Sequence, residues 1–119
     1  MVKAVSTAGT NSKTKKIFAF PNPNRSNNST TIRMIFTSPI SAGLIKIYTV
    51  SGDLVFTQRI DTNNFNSNVS TSDDFIYDYL WNLKNASGND VASGIYIYLI
   101  EAEIDNRKEI KTGKLAIIR

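Results

Sequence analysis

The sequence predicts an all-β protein: an antiparallel sandwich of about seven strands. Three observations carry that reading. Short stretches in which apolar and polar residues alternate recur along the chain, and a period of two marks a half-buried strand. Clusters of Asn, Ser, Gly, Pro and Asp separate those stretches at close spacing, which is how a sandwich is punctuated. No stretch has the periodicity of an amphipathic helix.

Each element follows from its residues. Positions 1–14 are small, polar and without period, and are expected to be a disordered lead or linker; the folded domain is expected over 15–119. KKIFAF reads as a strand that Pro21 and Pro23 stop, because proline has no N–H for a ladder. NPNRSNNS is a loop. TTIRMIFTS alternates, with Ile32, Met34 and Phe36 on one face and Arg33, Ile35 and Thr37 on the other. SPISAG turns the chain, and LIKIYTV and LVFTQRI flank SGD as a hairpin. DTNNFNSNVSTSDD is a polar loop, long for a compact domain. FIYDYLWNL is a strand with Tyr77, Tyr79, Trp81 and Leu83 on one face. KNASGNDVAS turns. GIYIYLIEAEI is scarcely polar over its first half, which predicts a central strand covered on both faces. DNRK turns again, and EIKTGKLAIIR closes the sandwich with a bulge expected at Thr112–Gly113.

Composition narrows the function. At 119 residues the chain is one domain. With 41% apolar and 20% charged residues it has a globular composition. No apolar run approaches the roughly 18 residues of a membrane span, and the opening MVKAVSTAGTNSKTKK lacks the apolar core of a signal peptide. The +4 charge is dispersed; its densest group, Lys13, Lys15 and Lys16, sits by the lead, so nucleic acid is not an expected partner.

There is no Cys and no His. Thiol nucleophiles, Cys-ligated zinc, disulfides and a Ser–His–Asp triad are therefore excluded. Asp73 and Asp74 are adjacent, while Asp53, Asp61, Asp78 and Asp90 are scattered. Neither a calcium-loop spacing nor the facing carboxylates of a glycosidase emerges. No catalytic residue, metal or cofactor is expected, and the protein is read as not an enzyme. The Asn-X-Ser/Thr sites, such as Asn68-Val69-Ser70 and Asn85-Ala86-Ser87, support loop placement only. Two aromatic features stay open. Trp81 is a core anchor or a sugar-stacking platform. Tyr77, Tyr79, Tyr96 and Tyr98 are cross-strand partners on one sheet face or an aromatic ligand strip.

Four segments in order resemble a known family. FAFPNPNRSNNSTTIRMIF, LIKIYTVSGDLVFT, YLWNLKNASGNDVASGIYIYLIEA and KTGKLAIIR together cover residues 18–119. They look like bacterial C-terminal immunoglobulin-like modules, whose relatives are the Ig-like domain of flagellar hook-capping proteins and the C-terminal sorting domains of type IX secretion cargo. The resemblance implies an immunoglobulin-like sandwich with fold-signature residues Pro21, Asn22, Pro23, Tyr48, Gly52, Trp81, Gly88, Gly94 and Tyr96. In it Trp81 anchors a strand end, Gly88 lies in a turn, and Gly94 opens a strand where side-chain bulk or a negative φ does not fit. It also implies a non-catalytic C-terminal module of a larger secreted or cell-surface bacterial protein, acting in secretion sorting, surface attachment or spacing. The expected partner is a protein, such as secretion or attachment machinery. The candidate docking strand is the last one, with Lys111, Lys114, Leu115, Ile117 and Arg119, because an edge strand offers unpaired backbone groups. The alternatives are a carbohydrate-binding module that takes polysaccharide on an aromatic strip, and a hook-cap type assembly subunit.

Overall fold

The computed structural model describes residues 12–25, 28–60, 66–69 and 74–119. Nine strands are found among them: β1 (Thr14–Phe20), β2 (Asn24–Arg25), β3 (Thr30–Phe36), β4 (Ala42–Thr49), β5 (Leu54–Ile60), β6 (Asn66–Val69), β7 (Phe75–Trp81), β8 (Gly94–Ile104) and β9 (Arg107–Ile118). They form two sheets, ordered β1-β3-β7-β6 and β2-β9-β8-β4-β5. Every pairing is antiparallel except the short β2–β9 pair, which is parallel. This is an immunoglobulin-like β-sandwich, with two strands more than the alternation predicts.

Both extra strands lie in stretches read as loops. Asn24 and Arg25 pair with Ile117 and Ile118. Within the long polar segment, Asn66 to Val69 pair with Asp78 to Phe75. An edge strand needs backbone pairing more than an apolar face, so its residues carry little periodic signal. Residues 61–65 and 70–73 of that segment, and 1–11 of the expected lead, lie outside the described residues. Ser12 and Lys13 are described, and β1 begins at Thr14.

The core fills the space between the sheets. Ile32, Met34 and Phe36 of β3 meet Ile45 and Ile47 of β4, Tyr98, Ile100 and Ile104 of β8, and Leu115 and Ile117 of β9. Trp81, from the end of β7, is fully buried. Its ring stands edge-on to Tyr96 at 6.2 Å and tilted against Phe56 at 6.4 Å. The indole N–H donates to the Lys84 carbonyl at 3.0 Å, so the one polar atom of the ring is satisfied. Trp81 is an anchor of the core.

The tyrosines differ from their expected arrangement. Tyr77 and Tyr79 come from one sheet, and Tyr96 and Tyr98 from the other. They are not partners on one sheet face; they approach each other from opposite sides of the core. Tyr77, Tyr96 and Tyr98 are buried, and Tyr79 is half-buried against Phe56. The four rings make no exposed strip for a sugar to stack on. Burial pushes the phenols of Tyr79, Tyr96 and Tyr98 above their ordinary range. The Tyr96 hydroxyl donates to the Ala92 carbonyl at 2.6 Å.

Strand β8 is central, between β9 and β4, but it is covered on one face only. On the outer face Ile95 is 43% exposed, and Ile97 and Leu99 are half-buried. The first half of β8 reads as two-faced because its outer residues are aliphatic all the same.

No bulge occurs at Thr112–Gly113. The β8–β9 register runs unbroken from Gly94↔Ile117 to Ile104↔Arg107. Gly113 is there for Tyr98: a Cβ at 113 would fall inside the Tyr98 ring, so the ring lies across β9 where a side chain is missing. Gly94 shows the opposite. A Cβ there would meet only the Tyr96 ring, at 3.8 Å, so bulk does fit, contrary to expectation. Gly52 and Gly88 hold φ of +103° and +85° in their turns, where an L side chain is strained.

Replacing Gly113 with Ala should therefore destabilise the domain by about 1–3 kcal/mol through overpacking. Gly94→Ala should stay within about 0.5 kcal/mol. Chemical denaturation of the two variants checks the contrast.

Candidate docking strand

The docking strand predicted from the sequence is the C-terminal part of β9. On one side β9 pairs with β8 along its length. On the other, β2 reaches only Ile117 and Ile118. Between these limits Asn22 does a strand's work with one side chain. Its Nδ2 donates to the Lys114 carbonyl at 2.9 Å, and its Oδ1 accepts from the Ala116 N–H at 3.1 Å. Pro21 and Pro23 flank it in the chain, where a regular strand could not continue.

Arg119 fastens the end. Its backbone N–H donates to Ser93 Oγ at 2.8 Å, its Nε to the Val91 carbonyl at 2.6 Å, and its Nη2 to the Leu83 carbonyl at 3.4 Å. The final residues of β9 are thus paired or capped on both sides. The open edge lies earlier. Lys114 and Ala116 direct their backbone groups away from β8, and a strand alternates. Lys108, Ile110 and Thr112 therefore point theirs the same way, and among the described residues no strand lies beyond them in the sheet.

The five predicted docking residues separate on this geometry. Leu115 and Ile117 are core residues, 1% and 2% exposed, so no partner touches them while the domain is folded. Lys111 and Lys114 are exposed. Their opposite parity in the strand sets them on opposite faces. Lys111 lines a groove of about 230 Å³ with Thr14, Lys15, Lys16, Ile17 and Thr112. Arg119 is exposed, but its guanidinium is committed to the carbonyls of Val91 and Leu83.

Sequence reasoning passed over Ile110 and Lys108. The signal for Ile110 was parity. Leu115 and Ile117 define the inner face, so Ile110 falls on the outer one, where it is 54% exposed. Lys108 sits at 3.5 Å from Glu101, which Lys46 also approaches at 3.7 Å. Such exposed pairs contribute little to stability, roughly 0–1 kcal/mol.

Glu109 does something different. It faces inward beyond the core and gathers the start of β1. Its carboxylate accepts from the backbone N–H of Lys13 at 2.8 Å and of Thr14 at 3.0 Å, from Thr14 Oγ1 at 2.6 Å and from Ser12 Oγ at 3.1 Å. Partial burial works against its charged form, but the bonds from Thr14, Lys13 and Ser12 outweigh it and hold the carboxyl below its ordinary range.

Several other carboxylates pair with cations. Asp74 meets Lys15 at 2.9 Å, and Asp90 meets Lys84 at 2.7 Å. Asp78 takes Arg33 through both oxygens at 2.8 and 2.7 Å. Asp53 closes the hairpin with its backbone: its N–H donates to Thr49 Oγ1 and its carbonyl accepts from the Thr49 N–H. Asp61 and Asp73 lie outside the described residues. Among the described residues no three His, Cys, Asp or Glu side chains gather to hold a metal, and no helix is long and apolar enough to cross a membrane.

No protein-family model matches this chain, and no curated protein matches it. Solved structures do. A segment of dimeric latent PorU from Porphyromonas gingivalis shares the fold with a TM-score of 0.64 and 22% identity, over 86% of this chain and 9% of that one. A segment of PorZ, an essential bacterial surface component of the type IX secretion system of human oral-microbiomic Porphyromonas gingivalis, matches with a TM-score of 0.51 and 26% identity, over 87% of this chain and 11% of that one. The chain thus spans about a tenth of the length of either protein. Its fold occurs in both as one module of a much larger bacterial chain.

Two outcomes follow from the side chains that fasten β9. Asn22→Ala should leave the fold intact but speed exchange of the Ala116 amide several-fold, as hydrogen-exchange NMR would read. It should cost about 1 kcal/mol, the net worth of an exposed pair of hydrogen bonds. Because Glu109 has a depressed folded pKa, its contribution is present above its unfolded value, about 4.3, and is lost as pH falls through the folded one. Stability measured from pH 7 down to pH 3 should fall less steeply in Glu109→Gln than in the parent.

Proposed function

We propose that this chain is a non-catalytic immunoglobulin-like module of a larger secreted or cell-surface bacterial protein, and that it serves secretion sorting, surface attachment or spacing. The observation that carries this reading is the module-scale likeness to PorZ, itself a surface component of the type IX secretion system. The likeness to a segment of PorU supports the same architecture. The residues agree with a recognition role. Most acids of the described residues are tied into ion pairs or the Glu109 clasp, and Trp81, Phe36, Tyr77, Tyr96 and Tyr98 are spent on the core. What the domain offers a partner is an edge of β9 and its cations.

In this reading the partner is a protein of the secretion or attachment machinery. Backbone groups along β9 supply affinity by strand addition, and Lys111 and Lys114 supply steering and register. Leu115 and Ile117 keep the strand in the sandwich, and Arg119 locks its end. Fold-signature positions such as Tyr48, Gly52, Trp81 and Gly88 serve the fold and not the partner.

The test is export of a passenger. A fluorescent protein with a standard inner-membrane leader is fused ahead of this domain and expressed in a bacterium that has a type IX secretion system. The passenger should reach the surface or medium only with the domain attached. Deleting residues 111–119 should retain it in the periplasm. A folded Lys111→Glu/Lys114→Glu variant should export several-fold less. Export that is the same without the domain would end the proposal.

A further inference from the structure

We infer that the open edge of β9 over residues 107–113 is a receptor for one kind of ligand: an extended peptide strand carrying carboxylates on one face and aliphatic side chains on the other. This deepens the docking reading and rests on it for the choice of strand. It moves the contact upstream of the C-terminal residues and states the chemistry of the partner.

Three observations carry it. The first is the extent of the edge. The Asn22 amide closes β9 at Lys114 and Ala116, and β2 closes it at Ile117 and Ile118. Upstream, Lys108, Ile110 and Thr112 each present one N–H and one carbonyl outward. This open edge is as long as an ordinary strand, and the register of any added strand is bounded at one end by Asn22.

The second is charge. The stretch RKEIKTGK, 107–114, holds Arg107, Lys108, Lys111 and Lys114 against one acid, Glu109. That acid is already filled by Ser12, Lys13 and Thr14. Among the described residues Arg107, Lys111 and Lys114 join no ion pair. Lysines along an edge repel neutral and basic strands. A strand with carboxylates is the one such an edge admits, since opposite charges on neighbouring strands stabilise and like charges do not.

The third is the difference between the two faces. An added strand would set alternate side chains into the groove between β9 and β1, where Lys111 stands; Lys15, which also lines it, is held by Asp74. The added strand's other side chains would lie on the outer face beside Ile110, which is 54% exposed and has no neighbour strand on that edge among the described residues. Acids suit the groove face beside Lys111; aliphatics suit the middle of the outer face beside Ile110, with Lys108 and Lys114 towards its ends. No helix or aromatic ligand uses all three features together.

The probe is a blocked seven-residue peptide of alternating Glu and Val, with the Lys/Val peptide as its counterpart, titrated into the intact chain and followed by NMR. The Glu/Val peptide should bind at least tenfold more tightly, and should slow exchange of the Lys108, Ile110 and Thr112 amides. Ile110→Pro removes one outward N–H and leaves the β8 ladder, as prolines on edges do; it should weaken binding tenfold or more in a domain that still melts cooperatively. Lys111→Glu/Lys114→Glu should reverse the preference between the two peptides, which no loss of folding can mimic. Equal binding of the two peptides, no binding, or protection of amides elsewhere would overturn the inference and leave these lysines as guards against aggregation. Those results would stand even if passenger export required the domain, so the two proposals fail separately.

Discussion

The sandwich depends on how Trp81 is buried. One indole, at the end of β7, must meet Tyr96 and Phe56 of the opposite sheet and still find an acceptor for its N–H. It finds Lys84, three residues on, because the chain turns back there. That turn places Leu83 at positive φ under the core, and the Leu83 carbonyl then receives both Val91 and Arg119. A truncation of a buried indole costs roughly 3–5 kcal/mol, a large part of the stability of a domain this size. The end of β7, the 84–91 connection and the C-terminal residue are fastened through this one ring and its turn.

Much of this was legible in the chain. The alternation in TTIRMIF and in YDYLW set the inner faces of β3 and β7, and SGD between two alternating runs marked the β4–β5 hairpin. These signals are local, and the period of two needs no knowledge of the partner strand. The parts that were not legible depend on partners. NSNV pairs with β7 because β7 needs a neighbour, not because its own side chains demand a sheet. Gly113 reads as a bulge from the sequence, since its real cause is a tyrosine fifteen positions earlier in the chain. The aliphatic first half of β8 predicted two covered faces, but side-chain type alone does not say whether a second layer exists.

The candidate site divides in the same way. Parity along β9 separates Leu115 and Ile117, which hold the strand in place, from Ile110 and Lys114, which face outward; this can be read in one line of sequence. Which length of edge is open cannot. It depends on Asn22, more than ninety positions away in the chain, reaching across to stand in for a strand. A side-chain amide suits that task because it carries a donor and an acceptor at nearly peptide spacing.

The clasp at Glu109 joins the entry of the chain to its last hairpin. A pull applied at Ser12 is delivered not to β1 alone but through one carboxylate into β9, close to the β8–β9 turn. There the ladder would bear the load as shear along many rungs together and would not unzip one rung at a time. Tension arriving from the N-terminal side therefore runs along the length of the strand whose far end Arg119 pins. The clasp thus links Ser12, Lys13 and Thr14 to β9 by a route that does not pass through the core.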